Sequence, residues 1–111
     1  TVNTGKQLGQ HRINSTTATS LYSPAASTQT VIKTVVIANT SDGAATYRLF
    51  HDDDGTTYDE TTALAFDTAL GAHEVTLFEA NILMNDSNGN LATRTSVANA
   101  LTFTAYGIEQ T

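Results

Sequence analysis

Thr30-Val31-Ile32-Lys33-Thr34-Val35-Val36-Ile37-Ala38-Asn39 is the longest β-branched run in the chain, and the architecture follows from it. Val, Ile and Thr suit a pleated, half-buried surface and lose rotamer freedom in a helix. The run ends on turn formers, Asn39-Thr40-Ser41-Asp42-Gly43. Alternation places Val31, Val35 and Ile37 on one face and Ile32, Val36 and Ala38 on the other. Lys33 and Thr34 interrupt the apolar pattern, so burial on both faces does not extend along the whole strand. A strand apolar on two faces sits between packed layers or at a subunit contact. The expectation is a central sandwich strand, with Val31, Val35 and Ile37 as core or subunit-contact residues.

The flanking segments repeat this rhythm of short strand and turn. Thr16–Tyr22 alternates loosely and is followed by Ser23-Pro24-Ala25-Ala26-Ser27, where Pro24 fixes φ and pushes Ser23 into extended geometry. Ala44–His51 reads as the next strand, with Ala45, Tyr47, Leu49 and His51 on one side, and the short connection pairs it with Thr30–Asn39. Ala63–Phe66 makes a short strand, and Asp67–Ala72 a connection. Glu74–Met84 fits neither strict period over its length and is read as two strands, Glu74–Phe78 and Asn81–Met84, with a helical turn as the alternative. Asn85–Asn90 is a hairpin turn, Leu91–Val97 a strand, and Leu101–Ile108 closes the domain. Short strands separated by turn clusters predict an all-β, antiparallel β-sandwich of jelly-roll type. Thr1–Ile13 is polar, with only Val2, Leu8 and Ile13 apolar. It predicts an extended N-terminal arm or an irregular lead-in strand, ordered when something packs on it. The expected division is therefore an arm over 1–15 and a sandwich domain over 16–111.

Charge narrows the partners. Five Lys and Arg against eleven Asp and Glu give a net charge of −6, and no basic patch exists to displace counterions from phosphates. Nucleic acid and anionic membranes are therefore not expected as partners. Lys6, His11 and Arg12 lie in a stretch without acids, while most carboxylates fall between Asp42 and Asp86; such a basic segment can dock on another, acidic surface. There is no cysteine, hence no disulfide, thiolate zinc site or Cys nucleophile. No apolar run approaches the roughly 18 residues that span a bilayer as a helix.

Chemistry-bearing patterns are weak. Asp52-Asp53-Asp54-Gly55, with Asp59 and Glu60, clusters carboxylates as Ca²⁺ requires, but the spacing is not that of an EF-hand, and Asp-Gly sequences form turns. His11, His51 and His73 show no metal-ligand spacing, and no Gly-x-Ser-x-Gly elbow frames a serine. Neither an enzyme nor a bound cofactor or metal is expected.

Thr19-Ser20-Leu21-Tyr22-Ser23-Pro24-Ala25, followed by Val31-Ile32-Lys33-Thr34-Val35-Val36-Ile37-Ala38-Asn39-Thr40, resembles small virion proteins of tailed bacteriophages. The loop Asp53-Asp54-Gly55-Thr56-Thr57-Tyr58-Asp59 and the closing Phe103-Thr104-Ala105-Tyr106-Gly107-Ile108-Glu109 extend the likeness over about residues 16–110. The resemblance implies a β-sandwich capsid decoration (cement) protein or a small tail or fibre component. It implies a homo-oligomer, commonly a trimer, on the capsid surface of the virion, clamping neighbouring major capsid subunits. It carries no catalytic residues. Under that reading Val2, Leu8, Arg12 and Ile13 are the candidate capsid contacts. A calcium-assisted carbohydrate-binding domain using the Asp52–Glu60 loop is the alternative from another class.

Overall fold

The computed structural model describes residues 2–111; Thr1, the first residue of the expected arm, lies outside the described residues. The strands are β1 (Asn3–Arg12), β2 (Thr19–Tyr22), β3 (Gln29–Asn39), β4 (Ala45–Asp52), β5 (Ala63–Leu70), β6 (Val75–Met84), β7 (Asn90–Thr95) and β8 (Leu101–Gln110). They form two four-stranded antiparallel sheets in the orders β1-β8-β3-β6 and β2-β7-β4-β5. That is the strand order of a jelly roll, two Greek keys folded face to face. The core between the sheets is built by Ile32, Val35 and Ile37 of β3, Leu101, Phe103 and Ala105 of β8, and Tyr47, Leu49 and Leu91 from the facing sheet.

The central strand is β3, flanked by β8 and β6, but alternation along it is broken. Its register with both neighbours shifts between Ile32 and Thr34. A bulge changes which face the following side chains take. Ile32 therefore joins Val35 and Ile37 in the core with no exposure, and Val31, expected beside them, turns to the outer face and is half-buried. A second shift lies at Leu8 in β1, between the pairs Gln7↔Tyr106 and Gly9↔Ala105. That extra residue turns Leu8 inward to pack on the core.

The connections differ from the expected hairpins. Ala45–Asp52 does not pair with β3; it lies in the other sheet between β7 and β5. The Asn39–Gly43 turn instead arches from sheet to sheet. Facing each other across the core, β3 buries Ile32, Val35 and Ile37 and the Ala45–Asp52 strand buries Ala45, Tyr47 and Leu49. Asn39 fixes the arch: its Nδ2 donates to the carbonyls of Gly43 (2.9 Å) and Leu70 (3.0 Å), and its Oδ1 accepts from the Ser41 amide at 3.0 Å. Asn85–Asn90 is likewise an arch, carrying β6 to β7 in the opposite sheet. Val75–Met84 is one continuous strand, whose register with β3 breaks between Glu79 and Ile82, close to the division expected at Glu79–Ala80.

The N-terminal stretch takes the lead-in-strand form. β1 is ordered because β8 pairs along it from Asn3↔Gln110 to Arg12↔Thr102. Ile13, just beyond, is 5% exposed and belongs to the core. The boundary expected at residue 15 does not separate an arm from the body, because β1 is part of the sheet.

Candidate functional site

Sheet β1-β8-β3-β6 presents an outer face with little cover. Cross-strand rows run Leu83–Val31–Ile108–Gly5, Glu79–Thr34–Tyr106–Gln7, Leu77–Val36–Thr104–Gln10 and Val75–Ala38–Thr102–Arg12. Leu83 is 68% exposed, Val75 62%, Leu77 55%, Tyr106 43% and Ile108 39%. Five large apolar side chains on one face exceed the scattered exposure that needs no explanation. At one end the row of Leu83, Val31 and Ile108 floors an open groove of about 640 Å³, rimmed by Asn3, Lys33 and Gln110. The apolar character fades across the face toward β1, whose outward positions are Asn3, Gly5, Gln7, Gln10 and Arg12.

The four expected capsid contacts separate. Val2 is exposed and joined to the C-terminus by mutual main-chain bonds with Thr111 (2.8 and 2.9 Å), and Arg12 is exposed at the other end of β1. Leu8 and Ile13 face the core instead. Of the three expected core or subunit-contact residues, Val35 and Ile37 are core, and Val31 lies on the exposed face. Sequence reading missed Leu77 and Leu83. Their signal was the apolar content of both parities in 74–84, which defeated a period count because this edge strand is apolar on two faces.

A polar clamp holds β1 down. Lys6 Nζ lies 2.7 Å from Glu109 Oε1, and the Tyr22 hydroxyl donates to Glu109 Oε2 at 2.6 Å while lying 2.7 Å from Thr30 Oγ1. The Lys6 ammonium, then the Tyr22 hydroxyl, hold the Glu109 carboxyl below its ordinary range. Burial, reinforced by Glu109, pushes Tyr22 up to about 12. The clamp joins β1, β2, β3 and β8 at one rim of the core.

The Asp52–Glu60 loop is organised by its own main chain. Asp52 accepts from the amides of Asp54 (3.2 Å) and Thr57 (2.8 Å), and Asp59 from the Thr61 amide (2.9 Å) and hydroxyl (2.6 Å). Those donors lower both carboxyl groups, as carboxylates in Asx turns require. Among the described residues no three His, Cys, Asp or Glu side chains converge as a metal site. The histidines also stay apart. His11 Nε2 is 2.7 Å from Thr93 Oγ1 and its ring meets Phe103 edge-on, burial lowering its pKa. His73 pairs with exposed Asp42 at 2.9 Å, and the buried Nε2 of His51 has no hydrogen-bond partner among the described residues.

On the outer face of the other sheet, Arg48 binds Asp67 through Nε (2.6 Å) and Nη2 (3.0 Å) and stacks 3.8 Å over Phe66. Phe66 and Tyr58 in turn cover Phe50, while Phe66 and Leu64 of β5 remain exposed.

No family model matches the chain, and no curated protein matches it. Among solved structures, a chain in the structure of the infectious bursal disease virus Gt strain aligns with 97% of this chain and 29% of its own length, at 16% identity and a TM-score of 0.44. A chain in the structure of the Gx strain aligns with 96% of this chain and 28% of its own, at 16% identity and a TM-score of 0.41. The chain thus spans less than a third of the viral chains it matches.

Proposed function

We propose that this chain is a structural protein of a tailed-phage virion, a capsid decoration protein that adheres to the major capsid subunits and works by contact, not catalysis. The sequence resemblance over residues 16–110 and the jelly-roll sandwich support the reading. The observation that carries it is β1. Residues 3–12, which carry Lys6 and Arg12 and no acid, fold as an edge strand, paired with β8 on one side and open on the other. An open edge offers main-chain donors and acceptors to a partner strand, and its side chains select that partner. Arg12 at the open rim suits an acidic shell segment, and Val2 at the opposite end adds an apolar contact. Each contact is weak; several copies engaging one shell multiply it.

Main-chain geometry supplies the test. Val2 and Thr111 exchange two bonds, so strict antiparallel alternation directs the Asn3, Gly5 and Gln7 amides to the open edge. A side chain at Gly5 meets open space. Gly5→Pro therefore removes an outward amide without disturbing the β8 ladder. Purified full-length chain is expected to bind capsids stripped of the protein in saturable fashion. Gly5→Pro and Arg12→Glu are each expected to weaken that binding about tenfold or more while remaining folded. Binding unchanged in both folded variants contradicts the β1 docking, and absence of binding by the native chain contradicts the decoration role.

A further inference from the structure

The apolar part of the same sheet face is carried by β6, β3 and β8, and we infer that it is a two-fold interface with a second copy of this chain. The inference does not depend on the capsid reading. Val31, Val75, Leu77, Leu83, Tyr106 and Ile108 form the patch, and their exposed side chains amount to on the order of 500 Å² of apolar surface. That is at the upper end of the roughly 300–600 Å² of the largest patch on a typical monomer, a patch that is often functional, and with the polar groups between them the face approaches the roughly 800 Å² per partner of a standard interface. The molecule measures 45 × 26 × 21 Å, so the face is long enough to hold such a contact.

Charge identifies the occupant. Within this part of the face only two charged side chains interrupt the apolar surface, Lys33 and Glu79, and both line one small recess at the β3 bulge. Lys33 Nζ donates to Asn81 Oδ1 at 2.8 Å, and among the described residues neither Lys33 nor Glu79 forms an ion pair. A two-fold axis through the recess sets Lys33 of one copy against Glu79 of the other, twice, while Leu77 and Leu83 pack around them. An isologous contact needs this reciprocity. The patch itself is neutral on a body of net charge −6, so it is where two acidic copies can approach.

Sedimentation velocity on the full chain, from about 1 to 500 µM, tests the inference. A concentration-dependent dimer is expected, where the family resemblance implied a trimer. Leu77→Asp and Leu83→Asp are expected to be folded monomers by circular dichroism. Lys33→Glu and Glu79→Lys are each expected to weaken the dimer about tenfold, with the double exchange restoring it. A chain that stays monomeric throughout, forms a trimer, or dimerises without regard to the charge exchange overturns the inference. So does a Leu83→Asp variant that keeps its oligomeric mass yet loses capsid binding, which assigns the patch to the shell.

Discussion

Gly107 stands where two bulged strands meet. It pairs with Lys6 on one side and Ile32 on the other, beside the register shifts of both β1 and β3. A Cβ there would collide with the Val31 carbonyl oxygen and crowd the Ile32 Cα and the Leu8 Cδ1. Because the first obstacle is backbone, it cannot swing away, and Gly107→Ala is expected to destabilise the fold by about 1–3 kcal/mol in urea denaturation. The Tyr22–Glu109–Lys6 clamp makes a pH prediction. Glu109 has its pKa lowered in the folded state, so its contribution is present above the unfolded carboxylate range and lost as pH falls through the folded value. Tyr22 has its pKa raised to about 12, so its contribution is complete below the unfolded value near 10 and lost as pH rises toward 12. Chemical denaturation followed against pH should show a plateau falling at both ends. Glu109→Gln should shallow the acid limb, to which Asp52, Asp59 and Asp67 also contribute, and an unchanged acid limb in that variant would deny Glu109 its part.

At the scale of the element, β1 is an edge strand with two kinds of side chain. Leu8→Ala is expected to cost about 2 kcal/mol because its bulge turns Leu8 onto the core, whereas Val2→Ala should stay within about 0.5 kcal/mol. Equal effects in thermal melts would deny the bulge its role. Deleting residues 1–13 removes Ile13 from the core together with the Lys6–Glu109 contact, so that truncation is expected to unfold and is a poor probe of docking. The strands themselves were legible: β-branched runs and turn clusters mark β3, β4, β7 and β8 closely. Two things were not. A bulge is one residue in a ladder with partners distant in sequence, so nothing local to Lys33 announces that Val31 and Val35 take opposite faces. Turn residues announce a reversal without saying whether the chain returns beside its own strand or crosses to the facing sheet. The Asn39 side chain, bonded to Leu70 across 31 positions, settles that crossing, and no local pattern contains it.

The whole molecule combines a partly covered sheet face, a barer one and an open strand edge with Arg12 at its end on an acidic body. Arg48, Phe66 and Tyr58 partly cover the outer face of one sheet, and the other carries the more exposed Leu77 and Leu83. The expected contact set of Val2, Leu8, Arg12 and Ile13 was half legible. Val2 and Arg12 are exposed as a contact role requires, but which side chains of the segment stay outside depended on the Leu8 bulge and on the burial of Ile13. The proposed role turns these surfaces into adhesion: copies held together through the apolar face, and the shell gripped through β1. The most direct measurement of that role is the disruption temperature of stripped capsids with and without saturating full-length protein. A rise is expected with the native chain and none with folded Gly5→Pro. An unchanged disruption temperature with the native chain bound or absent would contradict that role.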